Sequence, residues 1–139
     1  MTIIEAIKLL CTEAAPDWNF QFEDRQLMNV KADNAKFPLI FFEEYREGRY
    51  NVKYQNSKTT VVELYFCKIC QMHNDGMERE KLREEIEQEA VIPFIQAFKN
   101  HPEIFDDIEE FRFFTPPPRF DANDVSIMLR FNAILRSCL

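Results

Sequence analysis

The chain has 139 residues, a formal net charge of −7 and a pI near 4.9, with 46% apolar and 29% charged residues. That length and balance predict one globular domain, large enough to bury a core without disulfide or metal staples. The acidic charge excludes the electrostatic footprint of a nucleic-acid binder and of a protein docked on anionic lipid, and a total of two glycines excludes a glycine-rich phosphate loop.

Residues 1–10, MTIIEAIKLL, have no basic stretch before the apolar run and no small-residue cleavage site, so they do not read as a signal peptide. No apolar run approaches the roughly 20 residues that span a bilayer. The expected location is a reducing cytoplasm, where Cys11, Cys67, Cys70 and Cys138 are buried thiols rather than a disulfide framework. Fourteen phenylalanines, each able to bury about 150–250 Å², predict a compact aromatic core or an adhesive interface.

In chain order, Thr2 and Glu5 have the spacing of a capping box. Ile3, Ile7, Leu10, Cys11 and Ala14 then share one face of a helix over 2–14, with Glu5, Lys8 and Glu13 toward water, and Pro16 ends it. Trp18, Phe20 and Phe22 alternate with polar residues, the period of a short strand with its aromatic face inward. Asp24–Lys36 has no steady period and reads as a loop, in which Leu27, Met28 and Val30 form an apolar lip. Phe37–Phe42 (FPLIFF) suits a strand covered on both faces, with Pro38 at its start or on an edge. Glu43–Arg49 ends that strand with a turn at Gly48. Tyr50, Val52 and Tyr54 alternate as a short hairpin partner, and Gln55–Lys58 turns again.

Thr59–Ile69 predicts a central strand, since Thr60, Val62, Leu64 and Phe66 form one apolar row and Val61, Tyr65 and Cys67 supply bulk to the other. Asn74–Gly76 breaks it. Asp75 is the expected N-cap of a long helix, with Glu78 at capping-box distance. Leu82, Ile86, Ala90, Phe94 and Phe98 make its buried stripe, flanked by Ile95 and Ala97. Glu80–Glu84 and Glu85–Glu89 are like-charge pairs one turn apart, each costing about 0.2–0.5 kcal/mol, and Pro93 should kink the helix. His101-Pro102 ends it. Ile104, Phe105 and Ile108 anchor an acidic turn, Phe111, Phe113 and Phe114 suggest a strand, and Pro116–Pro118 must be extended. Ile127, Leu129, Phe131, Ala133 and Leu135 alternate with Met128, Arg130, Asn132 and Ile134 as a long last strand.

These elements predict an α+β fold. A mostly antiparallel sheet of four to six strands carries two main helices on one face, with Thr59–Ile69 central. No internal repeat and no linker divides the chain.

No residue grouping points to chemistry, and no catalytic, cofactor or metal residue is assigned. Cys67-Lys-Ile-Cys70 is the spacing of a redox or zinc motif, with His73 nearby and His101 and Cys138 as distant further ligands. It lies in strand pattern, however, where positions three apart face opposite sides. Asp106, Asp107, Glu109 and Glu110 lack the order of a calcium loop and read as a solvated acidic segment. Asp121, Asn123 and Asp124 read as a turn. No base lies beside a Ser, Thr or Cys nucleophile in the sequence. TPPPRF, residues 115–120, is a polyproline ligand or, more plainly, a rigid connection.

The order of these pieces carries a resemblance. FPLIFFEE, then TTVVELYFCKI leading into a charged helix that ends VIPFIQAFK, then PPPRFDANDVSIMLRFNAI, is similar to small phage and prophage proteins of the tail-terminator or tail-completion type. A segment resembling F-D-x-N opens the last strand. Val125 and Ser126 stand where that pattern has a Gly. The resemblance spans residues 37–135. It implies a virion structural protein without enzymatic activity or cofactor, which forms a homo-oligomeric ring, often a hexamer, against other tail proteins. It implies the bacterial cytoplasm during assembly and the virion afterwards. The expected contact regions are Asp24–Lys36, Pro116–Pro118 and the sheet edge. Two other readings remain open: a small cytosolic module binding a peptide or other ligand in an aromatic pocket, and a metal- or thiol-dependent enzyme using Cys67, Cys70 and His73.

Overall fold

The computed structural model describes residues 1–23, 37–53, 57–70, 75–117 and 124–136. Leu27, Met28, Val30, Tyr54, His73, Pro118, Asp121, Asn123 and Cys138 lie outside the described residues. The elements are α1 (Ile3–Ala14), β1 (Asn19–Glu23), β2 (Leu39–Glu43), β3 (Gly48–Asn51) and β4 (Ser57–Ile69), then α2 (Gly76–Ile86), a π-helical turn (Glu87–Val91), α3 (Ile92–Lys99), β5 (Arg112–Phe114) and β6 (Asp124–Ile134). The fold is α+β. Six strands form a mostly antiparallel sheet, against which the helices pack.

Both helix starts follow from local chemistry. At α1, Thr2 Oγ1 accepts from the Glu5 amide at 3.2 Å while Glu5 Oε2 accepts from the Thr2 amide at 3.1 Å, a complete capping box. At α2, Asp75 accepts from the Glu78 amide at 2.9 Å. The Pro93 effect differs from the expected simple kink. The chain widens into the π turn just ahead of the proline, and the Ile92 amide reaches back to the Glu87 carbonyl, five residues away. Pro93 can make no amide bond of its own and crowds the carbonyl four residues back, so a looser turn accommodates it.

Sheet order is β1-β2-β4-β6-β5, with β3 also paired to β4. β4 is central, as its two apolar rows predict. β6 runs antiparallel along its whole length, from Thr59↔Ile134 to Ile69↔Asp124. On β4's other side, β2 pairs with Leu64–Cys67 and β3 with Ser57–Thr60. The turn expected at Gln55–Lys58 does not include Ser57 and Lys58, which already sit in the ladder opposite Asn51 and Tyr50. Gly48 is not a turn residue either: it opens β3 opposite Thr60. β1 joins β2 in parallel, the one parallel pairing among the described strands.

The alternation in β4 and β6 separates two cores. Val62, Leu64 and Phe66 of β4, with Ile127, Leu129 and Phe131 of β6, face both helices. Phe94 meets Phe66 and Phe131 there, at centroid distances of 6.1 and 5.8 Å. Phe98 stacks on Phe105 at 5.0 Å and meets Phe131 edge-on. Tyr65 and Cys67, one residue out of phase, belong to a smaller cluster on the opposite face with Leu39, Phe41 and Met128. Ile104 and Phe105 anchor the acidic turn as expected, and Phe105 bridges to Leu135. No helix among the described residues is long and apolar enough to cross a membrane.

Candidate functional site

The residues of the CxxC spacing are kept apart by the sheet. Cys67 is fully buried in the smaller cluster, whereas Cys70 lies one position beyond β4 and packs toward the helix-side core. Burial also pushes the Cys11 thiol far above its ordinary pKa, which removes it as a thiolate nucleophile at neutral pH. No cluster of three metal-ligating side chains forms among the described residues. In the acidic segment, Asp106 Oδ1 takes a bond from Arg136 Nε at 2.6 Å, and the Asp106 amide donates to the Ile134 carbonyl at 2.9 Å. Asp106 thus ties the turn to the end of β6. Asp107, Glu109 and Glu110 stay exposed. Asp124 is buried at the start of β6 rather than displayed in a turn.

His101 is a polar cluster that sequence distance concealed. Its Nε2 lies 2.7 Å from Glu13 of α1, and its Nδ1 lies 2.7 Å from Glu103. A neutral imidazole has only one N–H, so two carboxylate partners favour the doubly protonated ring. The hydrogen bonds to Glu103 and Glu13 raise the His101 pKa above its ordinary 6.5. The bond to His101 lowers that of Glu103 below 4.5. The His101 contribution to stability is complete below its unfolded pKa and is lost as pH rises through the higher folded value. The Glu103 contribution is complete above its unfolded pKa and is lost as pH falls through the lower folded value. Urea unfolding of the wild type and of His101→Gln should therefore differ most between those two ordinary values, at about pH 5.5. The difference should shrink at about pH 8.5. A gap that widens with pH would contradict this arrangement.

A second polar region lies on the sheet face away from the helices. Arg130 sits over the Phe114 ring at 4.5 Å, with Nε 3.3 Å from Glu63, and Tyr65 donates to Glu63 at 3.4 Å. Arg130 and Glu63, with Glu43, Tyr45, Arg46 and Glu47, border a recess of about 360 Å³. The pairs stabilise the open face and leave no nucleophile–base couple.

An apolar concavity lies between the long helix and β5. It encloses about 200 Å³, with Ile92, Ile95, Phe111 and Phe113 along its floor and sides. Glu80, Arg83, Glu84 and Glu87 form the helix rim, where Arg83 pairs with Glu80 at 3.0 Å. Phe113 is 70% exposed. It projects on the helix side because it shares a row with Phe111, while Arg112 and Phe114 face the other way, the guanidinium 5.5 Å from the ring centroid. The outer rim of the long helix walls this groove. At the other margin of the sheet, β3 exposes Tyr50 (75%) and continues to Val52 (81%). Of the expected contact regions, Pro116 and Pro117 follow β5 after Thr115, and Pro118 and residues 24–36 lie outside the described residues.

No protein-family model matches this chain, and no curated protein matches it.

Proposed function

We propose that the chain is a structural protein of the phage or prophage tail-terminator or tail-completion type, which acts by self-assembly and by contact with other tail proteins rather than by catalysis. The supporting observation is the pair of sheet margins. β3 and β5 lie on opposite edges, and each carries large exposed apolar side chains, Tyr50 and Val52 at one and Phe113 at the other. Isolated exposed apolar residues are ordinary on a soluble protein. Placed on strand edges that pair with no further strand among the described residues, they are a template for another chain. The order of elements over residues 37–135 supplies the resemblance to the tail proteins.

Sedimentation velocity over a concentration series, followed by negative-stain imaging, tests the reading. The expected result is a concentration-dependent shift to one closed ring. Sedimentation as a monomer at every concentration would overturn it. The groove beside β5 favours a second reading, a module that binds a ligand through aromatic side chains. That reading expects a monomer that retains the groove.

A further inference from the structure

Two surfaces of this chain are complementary to each other. The β3 margin is cationic within an acidic protein. Arg49, Lys53 and Lys58 are exposed there, residues 48–58 contain no carboxylate, and Lys58 lies 5.6 Å from the Tyr50 ring centroid. The groove beside β5 is apolar with an anionic rim, since Glu84 and Glu87 add charge beyond the Glu80–Arg83 pair. The two surfaces occupy opposite sides of one sheet. β6 and then β5 lie on one side of β4, and β3 lies on the other. A chain with complementary patches on opposite edges cannot satisfy both in a two-fold dimer that uses one patch twice. It joins head to tail, into a ring or a filament.

We propose that successive copies join in this way, the β3 margin of one copy (Arg49, Tyr50, Val52, Lys53) seated in the β5 groove of the next (Glu84, Glu87, Ile92, Phe113). The proposal rests on the self-assembly reading and names its joint. Tyr50 and Val52 meet the apolar floor, while the cations meet the glutamate rim. Because the rim charges are solvent-exposed, added salt weakens the joint. The exposed backbone edges of β3 and β5 extend one sheet across the contact.

The test mixes two variants. Phe113→Asp places a carboxylate in the acidic groove and leaves β3 intact. Tyr50→Asp spoils β3 and leaves the groove intact. Both positions are exposed, so unfolding midpoints should match the wild type. Each variant alone should associate at least about thirtyfold more weakly than wild type, the loss expected of an interface anchor. Mixed in equal amounts they should form a dimer and nothing larger, because only one sound joint remains possible. A mixture that stays monomeric, or that builds full-sized assemblies, would overturn the head-to-tail joint. If wild type and both variants assemble equally well, the joint is elsewhere and self-assembly stands. If wild type itself is monomeric, both the joint and the self-assembly reading fall.

Discussion

Phe94→Ala should destabilise the protein by about 3–5 kcal/mol, a loss comparable with the whole stability of a marginal domain at about 5–15 kcal/mol. The ring is fully buried. It reaches from α3 to Phe66 of β4 and Phe131 of β6, so its removal leaves a void where the helix meets the two longest strands. Neighbouring rings cannot collapse into that void cheaply, since Phe131 is also held by Phe98 and Phe111 at 5.6 and 5.0 Å. Urea unfolding followed by far-UV circular dichroism measures the loss. Phe113→Ala is the internal contrast. With that ring mostly exposed, its truncation should stay within about 0.5 kcal/mol of wild type in the monomer. A small effect at Phe94 would mean that the helix is not seated on the sheet through this ring.

What could be read from the sequence was what lies within a few residues along the chain. The two helix caps are contacts between residues three apart, and both formed at the expected side chains. The two rows of β4 follow from its period of two, and the structure assigns them to two separate clusters as the alternation requires. The stripe from Leu82 to Phe98 faces the core for the same reason. Pairing partners were not legible. The parallel β1–β2 pair sets Asn19 opposite Leu39, far outside any local pattern, and β3 and β2 share one side of β4 because of lengths that only the folded sheet compares. His101 and Glu13 are 88 positions apart, and no local pattern announces such a meeting. The groove beside β5 was equally hidden. Phe113 reads as core in a run of phenylalanines, but β5 is only three residues long and ends the sheet, so nothing among the described elements covers that ring. The prolines after it were assigned to contact on composition alone. Thr115, between β5 and Pro116, lines the groove, and Pro116 and Pro117 do not.

Gly48→Ala should cost about 1–3 kcal/mol through overpacking, although glycine is usually replaced by alanine at little cost in a strand of ordinary geometry. Neither glycine has a positive φ, so backbone freedom is not what position 48 requires. Space is. A Cβ there would stand 2.5 Å from the Thr59 carbonyl oxygen and 3.3 Å from the Thr60 Cα. Both are backbone atoms that cannot rotate aside. Nor can they shift as a unit, because Thr59 and Thr60 are held from the other side by Ile134 and Ala133 of β6. The adjoining bond from the Val61 amide to the Glu47 carbonyl, at 2.8 Å, fixes the approach of β3. The added methyl must therefore push β3 away from β4. Gly76→Ala supplies the opposite sign: nothing lies within 4 Å of its Cβ position at the first residue of α2, and replacing glycine there should stabilise by about 0.4–1 kcal/mol. Unfolding midpoints of the two variants should move in opposite directions, and a neutral Gly48→Ala would mean that β3 is not held against β4 as described. The same variant bears on the joint between copies. Displacing β3 moves Arg49 and Tyr50 while leaving the β5 groove untouched, so Gly48→Ala should self-associate more weakly than wild type, should still form a dimer with Phe113→Asp, whose β3 is intact, and should form none with Tyr50→Asp. That outcome, with the core otherwise folded, would show that the joint depends on where β4 holds β3 and not merely on the side chains β3 carries; full self-association of Gly48→Ala would contradict it.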